Sequence, residues 1–273
     1  MRKKTQNSKL KTQSFFGQVI KKKEEDLRGQ MKRVPFNVIL NSIQDLNVQK
    51  ERFRNKFGMT GRKGVAIIGE IKFATPTNPN LGSPSELLER ASAYEKAGAD
   101  AISIITEKHF FKGDISFVGF VKKSVKIPVL QKDFVIDEYQ IYEAKTAGAD
   151  ALLLIARLVD KKTLKRFVQL CFAEGIEPIV EVYNEDDLKK AIATKTLFIA
   201  VNARDLRDAF TIDVAKACKF MEKIPNRFIK LGFSGIHSAG EVQNYVKAGA
   251  RGVLVGTSLM EAKNIDEFLG GLR

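Results

Sequence analysis

The chain has 273 residues, 44% of them hydrophobic, and its 46 Lys and Arg outnumber its 32 Asp and Glu for a net charge of +14. That is enough to bury one large core. No apolar run reaches the roughly 18 residues of a membrane span, which excludes a helical membrane protein.

The charge is uneven. Residues 1–63 hold 17 Lys and Arg against 5 Asp and Glu, which is +12, and residues 64–273 carry the remaining +2. The basic arm lacks the interleaved aromatic residues of an RNA-binding surface, so nucleic acid is not the expected partner. It reads as a solvated helix, or as a source of positive potential near an anionic substrate. No apolar stretch follows Met1-Arg2-Lys3-Lys4, so no secretory signal is expected. Cys171 and Cys218 lack metal-ligand spacing and read as buried free thiols of a reducing, cytoplasmic compartment.

In chain order, residues 1–13 are polar and are expected to fray. Phe16, Val19, Ile20, Leu27 and Met31 recur at helical spacing between Phe15 and about Lys32. Pro35 interrupts, and Phe36, Val38, Ile39, Leu40, Ile43 and Leu46 predict a second helix. Residues 1–63 thus form a helical extension that packs on a body spanning 64–273. From Val65 the chain alternates apolar strands with helices. Ala97-Gly98-Ala99-Asp100, Ala147-Gly148-Ala149-Asp150 and Ala248-Gly249-Ala250-Arg251 each end a helix on a glycine and start a strand.

Eight strands are predicted: Val65–Gly69, Ala101–Ile105, Ile127–Leu130, Ala151–Ile155, Glu177–Val180, Leu197–Val201, Phe228–Gly232 and Gly252–Val255. Most are continuous apolar runs, the mark of parallel strands covered on both faces. The fold class is α/β, a (β/α)8 barrel with an N-terminal helical extension. A doubly wound open sheet is the weaker alternative, since no G-x-G-x-x-G follows the first strand.

Barrel chemistry sits at the C-terminal strand ends. Those ends carry Glu70 and Lys72, Thr106 and Glu107, Lys132, Glu181, Asn202 and Arg204, Ser234 and Gly235, and Gly256 and Thr257. The carboxylates Glu70 and Glu181, two lysines and an amide at one mouth suit proton transfer, because opposite charges tune one another's pKa. In Pro128-Val129-Leu130-Gln131-Lys132-Asp133-Phe134 a buried strand delivers a lysine to a loop, where desolvation favours a general acid. Ser234-Gly235 and Gly256-Thr257 offer backbone N–H groups and hydroxyls on adjacent strands, a phosphate cradle. His109 and His237 read as loop-capping or surface residues, and Asp114 and Asp205 as loop anchors. Phe110, Phe111 and Phe134 are placed near the mouth, where they suit an aromatic ring.

These segments, with Glu70-Ile71-Lys72-Phe73-Ala74-Thr75-Pro76-Thr77, Asp137-Glu138-Tyr139-Gln140-Ile141-Tyr142, Ile179-Val180-Glu181-Val182, Val201-Asn202-Ala203-Arg204-Asp205-Leu206, Ser234-Gly235-Ile236 and Val255-Gly256-Thr257-Ser258-Leu259-Met260, resemble the indole-3-glycerol phosphate synthase family in its own order. Lys21-Lys22-Lys23-Glu24-Glu25 resembles that family's N-terminal helical extension.

The resemblance implies a lyase of tryptophan biosynthesis acting on a phosphorylated small molecule, 1-(2-carboxyphenylamino)-1-deoxyribulose 5-phosphate. It implies no cofactor and no metal. The catalytic residues would be Glu70, Lys72, Lys132, Glu181 and Asn202. Arg204, Phe134, Thr75 and Ser234 would bind the substrate, and Lys72, Gly235, Gly256 and Thr257 its phosphate. A monomer is expected. A phosphate-binding paralogue without turnover, or another phosphosugar enzyme on the same barrel, stays open as an alternative.

The chain departs from the family pattern at several positions. Phe73 and Gln131 stand where arginine is usual, Thr75 and Thr77 where serine is, and Phe233 where glutamate is. If Phe73 and Phe233 meet across the mouth, their lost charges offset each other; the alternative is that both positions only close the barrel's upper layer.

Overall fold

The computed structural model describes residues 15–43, 53, 64–205 and 211–273. The stretch 1–13 expected to fray, the end of the second predicted helix beyond Ile43, and Leu206 lie outside them.

Eight parallel strands close on themselves in sequence order. They are β1 (Ala66–Ile71), β2 (Ala101–Ile105), β3 (Val129–Lys132), β4 (Ala151–Ile155), β5 (Glu177–Val182), β6 (Phe198–Asn202), β7 (Ile229–Phe233) and β8 (Gly252–Val255). β1 pairs β8 in parallel, Ala66 opposite Gly252, so no edge is left.

The continuous apolar runs conceal a period of two. Ala66 and Ile68 of β1, Leu153 of β4, Ala200 of β6 and Phe233 of β7 pack into the barrel interior. Their neighbours Ile67, Ile71, Leu152, Leu154 and Val201 pack outward under the helices. Two outward positions are glycines because a tyrosine fills the space: a Cβ on Gly69 would lie 2.7 Å from Tyr94, and one on Gly232 2.4 Å from Tyr245.

The repeated Ala-Gly-Ala-Asp signal has a geometric cause. Gly98, Gly148 and Gly249 take φ of 87°, 82° and 96°, which ends each helix. The aspartate then ties its strand to the one before. Asp100 accepts the Ile67 N–H at 2.9 Å, and Asp150 the Val129 N–H at 2.8 Å.

Several strands lie one or two residues later than expected. The Ile127 N–H is drawn out of the ladder by Glu95, at 3.0 Å, so β3 starts at Val129 and ends on Lys132. β5 extends to Val182, which puts Glu181 inside a strand.

The outer layer includes α3 (Leu87–Lys96), α4 (Lys108–Phe111), α5 (Ser116–Ser124), α6 (Tyr139–Ala147), α7 (Lys161–Ala173), α8 (Glu185–Ile192), α9 (Val214–Met221), α10 (Ala239–Lys247), α11 (Thr257–Met260) and α12 (Ile265–Gly271). Helix starts follow side-chain caps: Asp160, Asn184, Asp213 and Asn264 each accept an N–H of their own first turn. Ser238 and Glu241 form a capping box on α10.

Two further helices precede the barrel, α1 (Phe15–Arg33) and α2 (Phe36–Ile43). α1 lies on the C-terminal rim through Val19, Phe15, Phe16 and Ile20, in one cluster with Phe134 and Phe110. α2 packs on α6, with Ile39 in one cluster with Tyr139 and the Phe36 ring 5.2 Å from that of Tyr142. At the opposite barrel end the buried Phe53 ring stands 5.4 Å from that of Phe198, the first residue of β6.

Cys171 is buried as expected, whereas Cys218 is half-exposed on α9. Both are free thiols.

Candidate active site

The inward-facing period of two continues to the C-terminal strand ends, where polar side chains replace apolar ones. Glu70 is 1% exposed and carries two lysines, one on each carboxylate oxygen. Lys72 Nζ donates to Oε1 at 2.7 Å, and Lys132 Nζ, from β3, donates to Oε2 at 2.6 Å. Burial opposes ionisation of Glu70, but the two ammonium groups outweigh it and hold the carboxyl at about 2. Lys72 is pushed the other way. Burial, joined by Lys132, lowers its pKa against the pull of Glu70.

Glu181 behaves oppositely to Glu70. It is 3% exposed, and burial raises its pKa despite the nearby Lys132 and the hydrogen bond from Asn202. That bond comes from Asn202 Nδ2 at 3.2 Å. Asn202 Oδ1 accepts the Ser234 hydroxyl at 2.8 Å and the Arg204 backbone N–H at 3.0 Å. Asn202 therefore links strands β5, β6 and β7 through its two amide atoms. Burial lowers the pKa of the half-buried Arg204 guanidinium against the pull of Glu70.

The β7 end takes an unusual backbone. Ser234 and Gly235 both have φ of 72°, in the left-handed region. Tyr245 braces this turn by donating its hydroxyl to the carbonyls of Phe233, at 3.1 Å, and Ser234, at 3.0 Å. At the β8 end a Cβ on Gly256 would lie 2.4 Å from Glu70 Oε1 and 2.8 Å from Lys72 Nζ. The glycine is what lets β8 approach the Glu70 clamp.

One cavity gathers the residues expected to act on or bind the substrate, whereas the strand-end Glu107 caps α4 instead. Glu70, Lys72, Thr75, Lys132, Phe134, Glu181, Asn202, Arg204, Ser234, Gly235, Gly256 and Thr257 all line it. Thr75 also shapes its own loop, since its hydroxyl oxygen accepts the Asn78 N–H at 2.9 Å. Sequence reasoning missed the apolar lining: Leu153, Ile155 and Leu254 from the strands, and Phe15 from α1. Leu153 and Ile155 were legible as inward positions of β4, but that strand ends without a polar residue to mark it. Nothing near Phe15 in the sequence says which part of the barrel α1 covers.

Other expectations need correction. Phe111 lines the cavity, but Phe110 packs against Phe15 with ring centroids 5.1 Å apart. His109 lies in α4 rather than a loop and meets Asp26 of α1, Nε2 to Oδ2 2.8 Å. His237 is exposed in a loop, as expected, and also lines the cavity. Phe73 and Phe233 do not meet. Phe73 faces outward, its ring 5.9 Å from Phe117 of α5, because it follows the inward Lys72 by one residue. Phe233 is fully buried inside the barrel, and Lys132 Nζ stands 5.8 Å from its ring centroid. Among the described residues no group of three or more His, Cys, Asp and Glu side chains is arranged to hold a metal ion.

The family model for indole-3-glycerol phosphate synthase matches residues 16–272. The chain belongs to the indole-3-glycerol phosphate synthase family. Its relatives in that family include the enzyme of Caldanaerobacter subterraneus subsp. tengcongensis, 39% identical over 94% of this chain and 98% of that protein. That of Campylobacter hominis is 36% identical over 91% of this chain and 95% of its own length. Among solved structures, 3-hexulose-6-phosphate synthase superposes with a TM-score of 0.62 at 19% identity, covering 76% of this chain and 98% of that one. A thiamine phosphate pyrophosphorylase from Pyrococcus furiosus does so with 0.55 at 16% identity, over 81% and 95%. At such identities the two structures share the barrel alone. The synthase-family match covers α1 and α2 as well as the barrel, so the helices on the rim belong to the matched unit.

Proposed function

We propose that the protein is a carbon–carbon lyase of tryptophan biosynthesis. It converts 1-(2-carboxyphenylamino)-1-deoxyribulose 5-phosphate to indole-3-glycerol phosphate with loss of carbon dioxide and water. The observation that carries this reading is the Glu70 clamp, one buried carboxylate with a lysine at 2.7 Å and another at 2.6 Å. It sits in a cavity whose remaining wall is largely apolar and aromatic.

In this reading the substrate's aryl carbon attacks its ketone, and Lys132 delivers a proton to the oxygen as charge develops there. Ring closure leaves an iminium, which takes up the electrons of the breaking bond to the carboxyl carbon as carbon dioxide departs. A hydroxyl then leaves as water and a proton leaves the neighbouring carbon, which completes the indole. Lys72 suits the acid of this second step, because burial has already weakened its hold on its proton. Glu181 suits the proton acceptor, because burial has raised its pKa. Two carboxyls pushed in opposite directions divide the work, with Glu70 remaining a fixed anion that aims both lysines. Asn202 aligns Glu181 and Ser234, Arg204 and Thr75 position the substrate, and Phe134 covers its ring. The backbone of Ser234-Gly235 and Gly256-Thr257, with Lys72 beside it, takes the phosphate.

Residues 1–63 are proposed as an arm built onto the 64–273 barrel. The described residues of one chain supply every group named above, which supports a monomer, and sedimentation checks it. The free thiols Cys171 and Cys218 support a reducing, cytoplasmic setting.

The chain contains no tryptophan, so an indole product fluoresces over a background of tyrosine alone. Turnover of the substrate with a rise in indole fluorescence is the expected result. No rise with ample enzyme, alongside calorimetric binding of the same substrate, would replace the synthase with a non-catalytic binder.

A further inference from the structure

The buried face of α1 is made of Val19, Lys23 and Leu27, so a lysine sits in the middle of an apolar stripe. Lys23 is 8% exposed. Its Nζ lies 2.8 Å from Asp133 Oδ1. Asp133 is itself 7% exposed and immediately follows Lys132. It is further held by the Thr106 hydroxyl, which donates to Oδ2 at 2.6 Å, and by the Phe134 N–H, which donates to Oδ1 at 2.7 Å. Burial works against the Lys23 charge, and Asp133 more than offsets it, so Lys23 keeps its proton.

The residues one and two turns away explain what the pair controls. Phe15 lines the cavity. Phe16 packs edge-on against Phe134, another lining residue, with centroids 6.3 Å apart. Near the other end of the contact Asp26 meets Lys108 at 2.6 Å and His109 at 2.8 Å, but Lys108 is half exposed. The apolar contacts of α1 are non-directional and tolerate sliding or rotation. A buried ion pair does not, because any other register leaves Asp133 charged and unpaired next to the reacting lysine.

We propose that Lys23 is a positioning residue for the reaction. Through Asp133 it sets the register of α1 on the end of β3, and so holds Phe15 and the Phe16-backed Phe134 as the wall against the substrate's aromatic ring. The proposal rests on the synthase reading for its ligand.

The test uses the full chain with Lys23→Met, Lys23→Arg, and Lys23→Met combined with Asp133→Asn. Lys23→Met is expected to lower kcat/KM roughly 10²-fold, the effect of a displacement near 1 Å, chiefly through KM. The inhibition constant of inorganic phosphate should stay unchanged, since the phosphate cradle lies on β7 and β8. Lys23→Arg should retain most of the activity. The double variant should recover part of the loss, because it leaves no charge unpaired. Unchanged kcat/KM in Lys23→Met, or a phosphate constant that rises by the same factor as KM, would overturn the proposal. Trypsin gives a readout that needs no turnover. Cleavage within residues 15–33 should be faster in Lys23→Met while the barrel fragment persists, and equal rates would also overturn it. If the wild-type protein fails to turn the substrate over, the synthase reading falls and the trypsin comparison still decides the tether.

Discussion

Gly256→Ala tests the placement of the Glu70 clamp by replacing a hydrogen with a methyl group. The new Cβ would start 2.4 Å from Glu70 Oε1 and 2.8 Å from Lys72 Nζ. Carbon and oxygen do not settle below about 3.0 Å, so the carboxylate must retreat by at least about 0.6 Å. It has nowhere easy to go. Glu70 is 1% exposed, and each of its oxygens is already engaged by a lysine at 2.7 or 2.6 Å. Moving it displaces Lys72 and Lys132 together.

A misplacement of 1 Å costs about 10²-fold, so a shift of this size should lower kcat/KM by roughly 10- to 100-fold. That is about 1.4–2.7 kcal/mol of transition-state stabilisation. Overpacking should also cost about 1–3 kcal/mol of stability, so the indole-fluorescence assay belongs well below the thermal transition measured by circular dichroism. Gly29→Ala is the control. It sits on α1 with nothing within 4 Å of the added carbon, and should leave kcat/KM unchanged while stabilising the protein by about 0.4–1 kcal/mol. Wild-type kcat/KM in a folded Gly256→Ala would refute the claim that β8 touches the clamp.

Three other outcomes follow from the same geometry. Lys132→Met should cost about 10²–10⁴ in kcat while inorganic phosphate binds as before, and retained turnover would remove Lys132 as the acid. The pH profile of kcat should be a bell. Its acid limb, reporting Glu181 losing a proton as pH rises, should lie above the ordinary glutamate value of 4.5, and its basic limb, reporting loss of the Lys72 proton, below the ordinary lysine value of 10.5. Glu181→Gln should abolish the acid limb, and a surviving limb would assign it elsewhere. Phe233 faces Lys132 from 5.8 Å without a charge, so Phe233→Glu, which restores the carboxylate usual in the family, should raise turnover. Lower activity in a folded variant would show the aromatic ring to be the better neighbour here. Phe73→Arg should not add to it, because Phe73 packs against Phe117 outside the barrel.

The barrel was legible because its signals are local. A helix stop on glycine followed by an aspartate or arginine and an apolar run needs only neighbouring residues, and the structure shows the same three glycines at positive φ. The site residues were legible for the same reason. Polar side chains that interrupt an apolar strand must lie near its end, and a parallel barrel brings all such ends to one face.

What the sequence could not show is which atoms meet across the barrel. That Glu70 divides its two oxygens between Lys72 and Lys132 depends on the stagger that pairs Glu70 with Ser103 and Ile105 with Lys132. Whether Phe73 or Lys72 faces the cavity turns on a single residue of register, since adjacent side chains on a strand point to opposite faces. Lys23 reads from sequence as one charge in a basic helix. Only the docking of α1 on the rim, some 110 residues from Asp133 along the chain, makes it a buried partner. Helical and strand periods say which residues share a face, whereas the partner of each face is set by long-range packing, and it is there that Phe15 becomes part of the site.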